Sequence, residues 1–332
     1  MNTPPKFVKA YTRDFSIIME EAWYHALARG LWERIAVPMP AGCPNFYSFN
    51  QGIIEVWENK QFIQSIINGI RAKRNSSVFF DDLLIDYKLL VEALKDNTIK
   101  DEVYLKTLFK AVTLFSIVWY GILDNKTDSK LRKRLVGVRD RDTIFDTNDK
   151  IVRKRILRKY PNFYGFETTL VKEEFLGTPP RAAILKKRLR DFIIIPGKYA
   201  ASTDLSIFAA KHHFSLELFS QPKNFTIKGM VANRGRAVGR VRVIRKKNEV
   251  KNMKRGEVLI SPMTTPDVFP AMRKAVAIVT DEGGSLCHAA IMSRELGIPC
   301  IIGTKVASEL YQNGDRVTVD AVKGIVKKIM AA

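Results

Sequence analysis

Ile278-Val279-Thr280-Asp281-Glu282-Gly283-Gly284-Ser285-Leu286-Cys287-His288-Ala289-Ala290 decides how this chain is read. An apolar run, the pattern of a buried strand, ends in an acidic pair. Two glycines follow, and a single histidine opens what reads as a helix. A paired-glycine turn ahead of a helix start lets backbone N–H groups converge on an anion, and the helix dipole favours negative charge there. A histidine held in that position is a candidate nucleophile whose phosphorylated form its surroundings can stabilise.

The flanking sequence supplies a domain around this stretch. Upstream, residues 257–261 read as a buried strand leading into Pro262-Met263-Thr264-Thr265-Pro266-Asp267, with a short helix expected over 267–274. Residues 240–245 alternate like a half-exposed strand, preceded by a turn region at Gly235 and Gly239 and by a further apolar stretch at 225–232. Downstream, a helix over 289–296 is followed by a strand beginning at Pro299, and residues 316–320 and 324–329 suggest a terminal hairpin. Strands alternating with helices describe a compact α/β domain over residues 223–332, of about 110 residues.

Residues 1–222 have a different texture, and a mostly α-helical domain is expected there. Apolar residues recur at helical spacing over 14–34, again at Phe62, Ile63, Ile66, Ile67 and Ile70, and again from Leu83 to Leu94. The stripe from Tyr104 to Ile122 is apolar nearly all round, which predicts the central helix of a bundle. Phe192-Ile193-Ile194-Ile195 before Pro196-Gly197 reads as a short strand and turn. The whole chain is therefore expected to be α+β: helices first, then the α/β domain.

Composition narrows the partners. The 332 residues carry 55 Lys+Arg against 34 Asp+Glu, a formal charge of +21. Residues 223–332 hold 20 basic and 9 acidic side chains, so the excess is spread along the chain and not gathered in a tail. Such a field favours anionic partners in general. A basic stretch over 130–159, followed by Tyr160, Phe163, Tyr164 and Phe166, invites a nucleic-acid reading, but Asp140, Asp142, Asp146 and Asp149 interrupt it and no nucleic-acid motif emerges. Nucleic acid is not expected as the partner.

Three cysteines without a CxxC pair speak against a disulfide framework or a zinc site, and no metal is expected in the chain itself. His25, and the adjacent pair His212 and His213, lack the spacing of shared metal ligands. The N-terminus lacks a signal-peptide pattern, and the longest uncharged run, residues 111–123, is shorter than the roughly 20 residues a membrane span needs. A cytoplasmic protein without a membrane partner is the expectation.

Residues 227–329 resemble the swivelling phosphohistidine domain of the phosphoenolpyruvate-utilising enzymes, a group that includes phosphoenolpyruvate synthase, pyruvate phosphate dikinase and the rifampin phosphotransferases. The matching segments are Ile227-Lys228-Gly229-Met230-Val231-Ala232, Gly235-Arg236-Ala237-Val238-Gly239-Arg240-Val241, Met263-Thr264-Thr265-Pro266-Asp267, the stretch from Ile278 through His288 to Ile291 with Ser293-Arg294-Glu295-Leu296-Gly297-Ile298-Pro299, and Asn313-Gly314-Asp315 with Val317-Thr318-Val319-Asp320 and Gly324. A glycine pair ahead of a histidine is weak evidence alone; five segments in order over about a third of the chain are specific. One departure is Leu286, where members often carry threonine, in some a regulatory phosphorylation site.

The resemblance implies that His288 accepts a phosphoryl group and that the mobile domain delivers it to a second site. The residues around His288 are expected to support the phosphate, with Gly283, Gly284, Ser285 and Cys287 in binding or supporting positions and Thr264 and Thr265 as candidate hydroxyl donors. Arg294 matches as well, but six residues along a helix turns it roughly 240° from His288, which points to a structural contact, involving Glu295 or Asp320, and not to chemistry. No ATP-grasp segment is recognisable in residues 1–225. ATP and Mg²⁺ are therefore expected through a separate ATP-grasp nucleotide-binding protein, with the helical region binding a small-molecule acceptor or that partner. The competing reading is a non-catalytic binding or regulatory protein that keeps the mobile domain as a scaffold, with the basic region 130–159 recognising an anionic macromolecule such as a nucleic acid.

Overall fold

In a computed structural model, the structure describes residues 4–35, 43–50, 53–73, 77–201, 203–218, 222–284 and 287–329. Two compact units divide the chain, Met1–Glu217 and Leu218–Ala332.

The first unit is mostly helical, as its periodicity predicts. The helix Ile17–His25 continues through a π-helical turn, Ala26–Gly30, into Leu31–Ile35. The helix Asp101–Leu123 runs through the core, with Leu108, Val112, Ile117 and Val118 wholly buried. By length and composition it is the one helix among the described residues that passes for a membrane span, yet 78% of its apolar window is buried inside the protein. The all-round apolar composition that made it look central is that of a helix wrapped by its own unit.

A six-stranded sheet accompanies these helices, of which only residues 192–195 were expected as strand. Its strands are β1 (Lys6–Arg13), β2 (Asn45–Asn50), β3 (Ile53–Asn59), β4 (Asp191–Ile195), β5 (Tyr199–Ala201) and β6 (Ser215–Glu217), in the order β5-β4-β2-β3-β1-β6. All pairs are antiparallel except β1 with β6.

The second unit is an eight-stranded sheet. Its strands are β7 (Thr226–Lys228), β8 (Met230–Asn233), β9 (Arg236–Val243), β10 (Val258–Ser261), β11 (Ala277–Thr280), β12 (Cys300–Ile302), β13 (Arg316–Asp320) and β14 (Ile325–Lys328), in the order β7-β14-β13-β9-β10-β11-β12-β8. The four central strands, β9 to β12, pair in parallel, and antiparallel pairs flank them on both sides. Alternate residues of the central strands feed two cores. Val258, Ile260, Val279 and Ile301 join one, while Leu259, Ile278, Cys300 and Ile302 join the other with Ala289 and Ala290 of the helix His288–Leu296. Burial on both faces is why these strands read as continuous apolar runs.

The turn expected at Gly235 and Gly239 is corrected at its second half. Gly239 lies inside β9, paired with Val317 of β13. A Cβ there would come within 3.0 Å of the Gly256 carbonyl and 3.1 Å of Val258 and Val276, so the glycine marks close packing in a strand interior and not a turn.

Candidate functional site

Parallel strands place their carboxyl ends on one edge, and loops leaving that edge are where open α/β sheets build sites. Here residues 261–265 leave β10, residues 281–284 leave β11, and residues 303–305 leave β12. Backbone hydrogen bonds lace the three loops together. The Asp281 N–H donates to the Ser261 carbonyl at 3.2 Å and the Glu282 N–H to the Pro262 carbonyl at 2.9 Å. From the other side, the Thr304 N–H donates to the Thr280 carbonyl at 3.0 Å and the Lys305 N–H to the Asp281 carbonyl at 2.9 Å.

Asp281 is the hub of this lacing. Its side chain is buried and accepts the Ser308 N–H at 3.0 Å, with the Thr304 hydroxyl 3.2 Å away. The acidic pair was visible in the sequence, but this role was not, because Thr304 and Ser308 lie more than twenty residues downstream. An acidic pair between an apolar run and a glycine pair was the available signal.

His288 is the first residue of the helix His288–Leu296, preceded by Cys287 in an extended conformation (φ −71°, ψ 162°). Ala289, Ala290 and Ser293 turn into the core, which leaves the half-buried imidazole at the loop edge. Its Nδ1 lies 3.1 Å from the hydroxyl of the buried Thr264. Among the described residues its ring makes no other hydrogen bond. Burial holds its pKa below the usual histidine value, so the neutral imidazole predominates at pH 7.

The other expected site residues fall as follows. Gly283 has φ +122°, a region that L side chains avoid, and a Cβ there would lie 2.7 Å from Cys287 Sγ. Gly284 is exposed with open space around it, and its carbonyl accepts the Cys287 N–H at 2.9 Å. Thr264 meets His288; Thr265 instead accepts the Val268 N–H at 2.9 Å through its backbone carbonyl, and its hydroxyl makes no hydrogen bond among the described residues. Ser285 lies outside the described residues. Arg294 donates to the Ala232 carbonyl at 3.3 Å, and Asp320 pairs with Arg236 at 3.1 Å. No group of three or more His, Cys, Asp or Glu that could hold a metal occurs among the described residues.

The basic stretch of the first unit is engaged in structure. Arg153 pairs with Asp149 at 2.7 Å and Asp14 at 3.2 Å, Arg155 with Asp101 at 2.8 Å, and Arg139 with Asp140 at 2.6 Å. Two of the interrupting aspartates, Asp140 and Asp149, are thus partners of the run they interrupt. Phe163 and Phe166 are buried, and Tyr164 is exposed.

Comparison with known proteins agrees with the resemblance of the second unit. The family model described as "PEP-utilising enzyme, mobile domain" matches residues 253–324. A probable phosphoenolpyruvate synthase of Archaeoglobus fulgidus is 54% identical over 100 residues, 30% of this chain and 13% of its own. The phosphoenolpyruvate synthase of Pyrococcus furiosus is 52% identical over 102 residues, 31% of this chain and 12% of its own. That of Neisseria meningitidis is 44% identical over 110 residues, covering 31% and 14%. The chain thus spans a small fraction of the length of these relatives. An NMR structure of Enzyme I (nEIt) covers 99% of this chain and 88% of its own at 13% identity, but a TM-score of 0.28 leaves that likeness without weight. The likeness is thus confined to the second unit, whose residues 253–324 match the mobile domain of the phosphoenolpyruvate-utilising enzymes.

Proposed function

We propose that the chain is the phosphoryl-carrying component of a phosphotransferase, with His288 as the carrier. The observation that carries this reading is the hydrogen bond between His288 Nδ1 and Thr264, which leaves the opposite ring nitrogen for chemistry. In the tautomer where Nδ1–H donates to the Thr264 hydroxyl, Nε2 keeps its lone pair and is the nucleophile. Nε2 attacks the phosphorus of the donor, a P–N bond forms, and the P–O bond to the leaving group breaks. In the second half, an acceptor oxygen attacks the same phosphorus and the P–N bond breaks, returning the free imidazole.

The surroundings suit a phosphoryl group. The first turn of the helix His288–Leu296 presents its unpaired N–H groups, and Gly283 and Gly284 let backbone approach closely. The donor is a nucleotide on a separate ATP-grasp protein, with Mg²⁺ neutralising its phosphates. The helical unit binds the small-molecule acceptor or that partner.

The test exposes the purified chain to labelled phosphoenolpyruvate alone, and to labelled ATP with Mg²⁺ and a candidate ATP-grasp protein. An acid-labile, base-stable label that His288→Ala abolishes is expected. Label that persists in His288→Ala overturns the assignment, and no label from any donor favours the scaffold reading.

A further inference from the structure

The first unit holds a cavity of about 330 Å³ that phosphoryl transfer on His288 leaves unused. That volume falls in the range of small-molecule sites. Three of its lining residues, Tyr24, Phe62 and Phe109, are aromatic and buried. The Phe109 ring sits 5.5 Å from the His25 imidazole, and the Lys172 ammonium lies 4.9 Å from its centre. One wall is therefore a flat apolar surface already facing a cation.

The charged lining is unbalanced. Arg29, Lys172 and Lys198 contribute three cations, and Glu173, 3.4 Å from the Lys172 ammonium, contributes one exposed carboxylate. Glu21 also lines the cavity, but it is only 6% exposed and one of its oxygens accepts the Lys172 backbone N–H at 2.7 Å. Burial pushes its carboxyl up to about 8, so at pH 7 it is mainly protonated and adds no repulsion toward an anion. It offers an O–H donor instead.

We propose that this cavity binds a small anion carrying an aromatic ring, with the ring against Phe62 and Phe109 and the anionic group toward Arg29, Lys172 and Lys198. The cations select charge, and the aromatic wall selects against inorganic anions. The proposal stands whether or not His288 carries phosphate, because none of these residues belongs to the second unit.

The experiment titrates the full chain calorimetrically with phenyl phosphate, inorganic phosphate and phenol. Burying the ring predicts that phenyl phosphate binds at one site at least about tenfold more tightly than inorganic phosphate. Phenol, lacking the charge, is expected to bind more weakly than phenyl phosphate. Lys198→Glu, at an exposed position, is expected to weaken phenyl phosphate about tenfold by reversing a charge beside the anion. Ala28→Phe places a ring in the cavity and abolishes binding in protein whose circular dichroism is unchanged. The proposal is overturned if phenyl phosphate fails to bind at millimolar concentration, if inorganic phosphate binds equally well, or if Lys198→Glu leaves its affinity unchanged.

Discussion

The Nδ1 of His288 and the hydroxyl of Thr264 meet at 3.1 Å although they leave the sheet on loops from different strands, β11 and β10. That contact fixes the imidazole's rotation and favours one tautomer. Thr264→Val is expected to slow phosphoryl uptake by up to about tenfold, the worth of one hydrogen bond, while Thr264→Ser retains most of the rate. A ¹⁵N NMR spectrum of the imidazole separates this from mere structural damage. The variant should lose the tautomer bias while its remaining resonances stay in place.

The glycine pair divides into one obligatory and one permissive position. Gly283→Ala combines an unfavourable φ with a contact of 2.7 Å to Cys287 Sγ, and is expected to cost about 1–3 kcal/mol. Gly284→Ala meets open space and is expected to stay within about 0.5 kcal/mol. Denaturant unfolding of the two variants side by side checks the contrast; equal effects would contradict it.

Asp281→Asn keeps the shape of the hub but replaces a carboxylate that accepts the Ser308 N–H and faces the Thr304 hydroxyl. A loss of about 1–3 kcal/mol is expected from leaving these buried groups imperfectly paired. Hydrogen exchange should show faster opening of residues 303–308 in particular. Unchanged protection there would remove Asp281 from its organising role.

Stability of the first unit should fall as pH rises through neutrality. Burial pushes the carboxyls of Glu20 and Glu21 from 4.5 up to about 8; Asp149 and Glu58 add to the Glu20 shift and Arg13 opposes it. The folded state thus keeps protons that the unfolded chain has released. This stability is fully present below about 4.5 and is lost as pH rises through about 8. His25 and His212, both held below the usual histidine value by burial, pull the opposite way as pH falls below that value. The decline should therefore be plainest between neutrality and pH 8, with each carboxyl contributing up to ~1.4 kcal/mol per pH unit. Calorimetry should show Glu20→Gln flattening that slope and raising the melting temperature at pH 8.

The second unit was readable because its residues announce their positions. Val258-Leu259-Ile260 and Ala277-Ile278-Val279 are apolar on both faces because both faces are buried, and the glycine pair ahead of His288 gains its meaning from the ordered segments around it. The sheet of the first unit was hidden by polar residues at buried strand positions. Asn45 donates to the Tyr47 hydroxyl at 2.9 Å and accompanies a Trp57 indole donating to Ser48 at 3.0 Å, so β2 and β3 satisfy polar groups inside and lose the alternation of an ordinary strand. In β1 only Phe7 is fully buried, while Lys6, Lys9 and Arg13 give the strand a surface composition. The Asp281 hub escaped for a different reason, since its partners are set by the fold and not by spacing.

Intact-mass spectrometry of the chain after incubation with its phosphodonor, followed by peptide mapping under alkaline conditions, tests the central claim most directly. The account predicts the mass of one added phosphoryl group, located on His288, absent from His288→Ala and reduced in Thr264→Val. A phosphoryl group mapped to any other residue, or an unmodified His288 in protein that nonetheless transfers phosphate, would contradict it.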